Sequence, residues 1–104
     1  MIVRLTYLNF LPEKIEGAKK IYNAEIVPVV KQQNGNLDCR LLEPVDKTDE
    51  FISMTVWENE EDANTYHSSG IYRQLVAKIK DSYAKDPVLK VYSAESVMES
   101  AGLN

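Results

Sequence analysis

Cysteine and histidine are almost missing from this sequence: each occurs once, as Cys39 and His67. A single cysteine excludes an intramolecular disulfide and fits a reducing compartment. The two counts together exclude metal centres built on Cys clusters or on several His ligands, so no metal site is expected. A basic excess is missing too. Twelve Lys and Arg stand against sixteen Asp and Glu, for a net charge of −4. With no basic stripe, nucleic acid is not an expected partner. No apolar run reaches membrane-spanning length, and Arg4 interrupts the first apolar stretch. Neither a membrane partner nor a signal peptide is therefore expected, and the expected location is the cytoplasm. What is present is 104 residues, 44% apolar and 27% charged. That suits one soluble globular domain with one modest core.

Residues 1–10 read as a first strand with no strongly polar face, which predicts a central strand or one covered on both sides. Pro12 sits where a first helical turn tolerates it. A helix is predicted over residues 13–33, because Ile15, Ala18, Tyr22, Ile26, Val29 and Val30 recur at helical period. Pro28 lies inside it and cannot donate to the carbonyl of Ala24, which predicts a kink or register change near residues 24–28. Asn34-Gly35 is a stop signal, with glycine supplying the left-handed cap. Residues 36–44 and 50–57 read as two strands joined by a polar hairpin loop. Ile71, Leu75, Val76, Ile79 and Tyr83 mark another amphipathic helix, ended by Asp86-Pro87. Residues 88–95 read as the last strand, and residues 96–104 as a tail with weak helical character.

The most informative stretch is residues 51–72, FISMTVWENEEDANTYHSSGIY. The strand is rich in β-branched and aromatic residues and ends at Trp57. Asn59 is a good N-cap, with Asp62 three residues on and acidic residues in the first turn. This makes residues 58–62 a helix start, not a metal site. Ser68-Ser69-Gly70 then interrupts, and either Ser can cap a second helix beginning near Ile71. The element order is β-α-β-β-α-β with the second α broken. This predicts an α+β, ferredoxin-like domain with a four-stranded antiparallel sheet and helices on one face. The strands are apolar on both parities, so the second face also needs cover. A homodimer whose two sheets pack face to face is the simplest solution.

At this point the chain resembles the antibiotic biosynthesis monooxygenase (ABM) family, the dimeric α+β barrel proteins. The residues that carry the resemblance are Met54-Thr55-Val56-Trp57, the acidic turn 58–62 and Tyr66-His67-Ser68-Ser69-Gly70-Ile71-Tyr72. The helix segment Ile26-Val27-Pro28-Val29-Val30 and the closing strand also fit, and the likeness covers roughly residues 1–95. It implies a cofactor-independent monooxygenase acting on a small electron-rich aromatic of quinol or phenol type. The alternative is a non-catalytic dimeric barrel that binds a small hydrophobic ligand or a protein partner. Quinone-forming members carry an Asn four residues before the strand-ending Trp; here Trp57 matches, but Ser53 stands at the Asn position. Haem-degrading members place an Asn on strand one, a Trp on the helical segment and an iron-ligating His beyond it. Here Asn9 matches only with a shift, Tyr66 stands for the Trp and Val76 for the His, which disfavours haem. No cofactor is expected.

Each candidate residue has a plain and a sharp reading. Trp57 is a core aromatic, or a pocket wall whose N–H holds a substrate oxygen. Tyr66 and Tyr72 are half-buried helix aromatics, or phenols that bond a quinol oxygen. His67 is a helix-terminal surface residue, or the general base that ionises a phenol. Asn9 is a turn former, or a donor to a developing oxyanion. Ser53 and Thr55 share the parity of Trp57 and make that strand face mixed, as a small-molecule pocket requires. Ile52, Met54 and Val56 line the other face, assigned to the dimer barrel. Cys39 reads as a small buried hydrophobe. The resulting expectation is a cavity between sheet and helices, with Trp57 at its wall and Asn9, Tyr66, His67 and Tyr72 at its rim. It places Asn9 and Trp57 at the same end of the sheet.

Overall fold

The computed structural model describes residues 1–95; the tail at 96–104 lies outside the described residues. Four strands, β1 (Ile2–Leu8), β2 (Asn36–Leu42), β3 (Phe51–Trp57) and β4 (Val88–Ser93), form one sheet in the order β2-β3-β1-β4. Every pairing is antiparallel. This is the ferredoxin-like β-α-β-β-α-β arrangement expected from the alternation of periods. Helices α1 (Ile15–Ile21), α2 (Val27–Lys31), α3 (Glu60–His67) and α4 (Gly70–Ile79) lie over one face.

The first helix is continuous through a π-helical turn, Tyr22–Ile26, at whose end Val27 N–H bonds the carbonyl of Tyr22. This is the register change expected from Pro28. It also has a packing cause. Ala18, Tyr22, Ile26 and Val30 are all buried and stand four residues apart. In an α-helix of 3.6 residues per turn, each such step overshoots the buried line by about 40°. The wider π turn rewinds that drift, so all four residues stay on the sheet side.

Other local signals act as read. Gly35 takes φ +77° after the helix. The Asn59 side chain accepts from the Asp62 N–H at 2.8 Å and caps α3. Ser69 accepts from the Tyr72 N–H at 3.2 Å and caps α4. The last helix stops earlier than Asp86-Pro87, finishing as a single 3-10 turn, Lys80–Ser82.

The register separates the two faces of the sheet. Ile2, Arg4, Thr6 and Leu8 lie opposite Trp57, Thr55, Ser53 and Phe51. This parity faces the helices, and Arg4, Leu8, Cys39, Thr55 and Trp57 on it are buried. The opposite parity carries Val3, Leu5, Ile52, Met54 and Val56, each half-buried, and Tyr92, half exposed. No element of the described residues covers it. The edge strand β4 is exposed at all six positions.

Candidate functional site

The hinge between α3 and α4 decides what meets over the sheet. β3 ends in Trp57, the Asn59 cap turns the chain back, and α3 brings Tyr66 over the indole. The two rings stack with centroids 5.0 Å apart. The Ser69 cap then redirects the chain, and Tyr72 meets Tyr66 edge-on at 5.4 Å. His67 lies against Tyr72 at 4.5 Å. The structure thus brings together Trp57, Tyr66, Tyr72 and His67.

Asn9 is not with them, and the expectation that it shares an end of the sheet with Trp57 is corrected here. Because β1 and β3 run antiparallel, Ile2 pairs with Trp57 and Leu8 with Phe51. Asn9 therefore lies at the opposite end, where its amide donates to Glu50 Oε2 at 2.5 Å. It borders a cleft of about 440 Å³ beneath the β2–β3 loop, whose lining includes Glu16, Glu43, Lys47 and Asp49. That cleft is larger than either chamber between sheet and helices. It lacks the convergence of aromatic rings and hydroxyls found at the other end.

Between sheet and helices lie two smaller chambers that share Thr6, Tyr22, Ile26, Ser53, Tyr66 and Tyr72. The outer, about 90 Å³, adds residues such as Leu75, Val76, Tyr83 and Pro87. The inner, about 40 Å³, adds Arg4, Val30, Cys39 and Thr55. Trp57 lines neither. It is fully buried behind Tyr66, and its indole N–H donates to Thr55 Oγ1 at 2.9 Å. In this conformation it supports the ring that forms the wall and does not itself offer a donor.

Ser53 does line the cavity, with its hydroxyl 2.6 Å from the Tyr22 hydroxyl. Tyr22 also bonds the carbonyl of Arg40 at 3.2 Å and approaches Cys39 Sγ at 3.5 Å. Burial pushes the Tyr22 phenol well above its ordinary pKa, with neighbouring Cys39 adding to the shift. Burial likewise raises Tyr66 and Cys39, and raises Tyr83 to about 12. The phenols with resolved shifts are therefore held as neutral donors at physiological pH.

His67 meets an unforeseen partner. Arg4 Nη2 lies 2.5 Å from His67 Nδ1. A guanidinium only donates, so Nδ1 must accept and the neutral ring carries its proton on Nε2. Partial burial of the ring, then the Arg4 charge, lowers the His67 pKa below its usual value. The ring is largely exposed and does not line either chamber. With Nδ1 engaged, no free lone pair remains for a base.

Sequence reasoning missed Arg4 and Tyr22. Tyr22 was legible only as one member of an apolar stripe. Arg4 carried a usable signal: a lone charge on the parity that also holds Ile2, Thr6 and Leu8. Burial lowers its pKa, while Tyr72 and Tyr66 partly offset that effect.

The architecture is that of an α+β ferredoxin-like domain with an aromatic-lined cavity between sheet and helices. Residues 1–78 match the family of antibiotic biosynthesis monooxygenases, and the chain belongs to that family. No curated protein matches it. A protein from Nitrosomonas europaea, provisionally named an antibiotic biosynthesis monooxygenase, is 18% identical. That match covers 90% of this chain and 98% of the other at a TM-score of 0.79. A protein from Deinococcus radiodurans with the same provisional name is 18% identical over 92% and 94% of the two chains, TM-score 0.80. A conserved protein from Methanosarcina mazei is 12% identical over 91% and 94%, TM-score 0.77. At these identities the likeness is one of fold. No helix among the described residues is long and apolar enough to cross a membrane.

Proposed function

We propose that the chain is a cofactor-independent monooxygenase that oxidises a small, electron-rich aromatic of phenol or quinol type. The observation that carries this reading is the two-chambered cavity, where aromatic walls from Tyr22, Tyr66 and Tyr72 meet the hydroxyls of Thr6, Ser53 and Thr55. Ring faces bind an aromatic by stacking and edge contacts, and hydroxyls orient its oxygens. The chamber volumes favour one ring over a polycycle.

The chemistry balances without an external reductant. A phenol with a free para C–H plus O2 gives a para-quinone plus water. One oxygen atom enters the ring, and the para and hydroxyl hydrogens leave with the other. The electrons come from the ring, which is most easily oxidised once its hydroxyl is ionised. The protein's part is to hold the ring, assist that ionisation and exclude bulk water. His67 takes the proton only in a conformation that frees Nδ1 from Arg4.

Assembly belongs to the same proposal. An uncovered apolar sheet face and an edge strand exposed on both sides suit a homodimer packed sheet to sheet. The cytoplasm is its proposed setting.

A second reading keeps the cavity and drops the reaction: a dimeric barrel that binds a small hydrophobic ligand or a protein. It is favoured by Ser53, which stands where quinone-forming members carry Asn, and by the distance of Asn9 from the aromatic cluster. Oxygen uptake with a panel of one-ring and two-ring phenols and quinols, with and without chelator, separates the two. Uptake matched one to one by quinone and unchanged by chelator is expected. Binding without uptake across the panel establishes the second reading.

A further inference from the structure

Arg4 is the only charged side chain buried among the described residues, at 6% exposure. No described carboxylate forms an ion pair with it. The cations that do form ion pairs, Lys19, Arg40 and Lys78, each meet a carboxylate and keep more contact with solvent. What surrounds the guanidinium is different in kind. The inner chamber that Arg4 lines is also lined by Tyr22, Tyr66, Tyr72, Cys39, Thr6, Ser53 and Thr55, all polar but uncharged. The His67 imidazole completes the ring of neighbours.

A buried cation with no anion is costly, and an apolar residue of similar volume serves packing better. A guanidinium also carries five N–H donors in a planar fork, of which a single imidazole nitrogen takes one, and no Arg4 nitrogen is wholly enclosed without a partner, so the rest stay within reach of a ligand. The arrangement makes sense as half of an ion pair whose other half arrives with a ligand. The neighbouring hydroxyls are suited to bonding the same oxygen.

We propose that Arg4 is the anion-binding residue of this cavity, and that the cavity takes an aromatic whose ionised oxygen seats against the guanidinium. The inference rests on the cavity being the ligand site, as argued above, but not on turnover. It narrows the ligand class from electron-rich aromatics to those that bind as phenolate or carboxylate. For a phenol, it also makes Arg4 the group that favours the ionised form. An opposite charge within about 4–6 Å lowers an acid's pKa by about one unit or more, a tenfold preference for the anion.

Three nitroaromatic probes of similar size, all absorbing in the ultraviolet or visible, test this: 4-nitrophenol, 4-nitrobenzoate and the neutral 4-nitroanisole. Their binding to the purified protein is titrated across pH by absorbance. The expected result is that bound 4-nitrophenol ionises at least about one pH unit below free 4-nitrophenol. Arg4→Met should abolish that shift and keep the affinity for 4-nitroanisole. Arg4→Lys should keep part of the shift, and His67→Ala all of it. Whichever of the two anions binds more tightly identifies the oxygen preferred. Bound 4-nitrophenol that ionises at or above its free pKa overturns the inference, as does a shift that survives Arg4→Met. So does a shift lost in His67→Ala, which moves the role to the imidazole. The wild-type titration decides the matter even if Arg4→Met fails to fold. Binding of 4-nitroanisole alone defeats the anion site and leaves the cavity reading standing. Binding of none of the three defeats both.

Discussion

Replacing Gly35 with alanine tests the junction that places α3, and with it Tyr66 and His67, over the sheet. Gly35 sits at φ +77°, where a Cβ meets the backbone and costs about 1–2 kcal/mol. Space adds a second cost. The new Cβ would lie 2.1 Å from Asp62 Oδ2, 2.6 Å from its Cγ and 2.7 Å from its Cβ. The carboxylate can swing away, giving up its 3.1 Å contact with Asn59 Nδ2. The Asp62 Cβ cannot move without the helix, so part of the clash persists; overpacking of this kind costs about 1–3 kcal/mol. The expected loss is about 2–4 kcal/mol, or a fall in Tm of about 10 °C or more. Urea unfolding followed by Trp57 fluorescence measures it, because the chain's single tryptophan is fully buried. Protein concentration must be matched, since association would shift the midpoint. Gly35→Ala combined with Asp62→Ala should recover only part of the loss, because alanine keeps the offending Cβ. A single variant within about 0.5 kcal/mol of wild type would refute the reasoning, since surface changes without strain fall in that range.

Three further outcomes are expected. The folded pKa of His67 lies below its unfolded value of about 6.5, so the unfolded chain binds more protons as pH falls. The contribution is intact above that pH and is lost on acidification towards the folded pKa; the urea midpoint should fall as the pH is lowered through about 6.5 and below, and less so in His67→Ala. Equal slopes in the two proteins would contradict this. Tyr22→Phe removes the hydroxyl shared by Ser53 and the Arg40 carbonyl and should cost about 1–2 kcal/mol in the same unfolding assay, with no change counting against the network. Met54→Lys puts a charge on the uncovered sheet face and should convert a dimer to monomer in sedimentation velocity; an unchanged sedimentation coefficient would place the interface elsewhere.

The fold was legible because each element carried its own signal. Period-two and period-3.6 patterns alternate cleanly, and Asn59, Ser69 and Gly35 mark their boundaries by known side-chain and backbone chemistry. The aromatic cluster was legible only because it is local. Trp57, Tyr66, His67 and Tyr72 fall within sixteen residues of sequence and meet through two capped turns. Asn9 was misplaced because its neighbours depend on strand direction: in a split β-α-β unit the inserted strand runs antiparallel to the first. Arg4 was overlooked because its partner lies 63 residues away. A lone arginine in a strand says nothing of what will surround it until the sheet is assembled.

The π-helical turn carries an implication for the length of the chain. Apart from Pro28, the buried line Ala18, Tyr22, Ile26, Val30 needs the wide turn because its members are spaced by four throughout. Removing one exposed residue, Asn23 or Ala24, changes those intervals to four, three and four, the rhythm of an ordinary α-helix. The same side chains would still reach the sheet from an α-helix disturbed only at Pro28. The segment therefore holds one residue more than its packing requires, and a shortened protein should keep its helical circular dichroism and its fold. A homologue one residue shorter here would owe the gap to a helix that never widened.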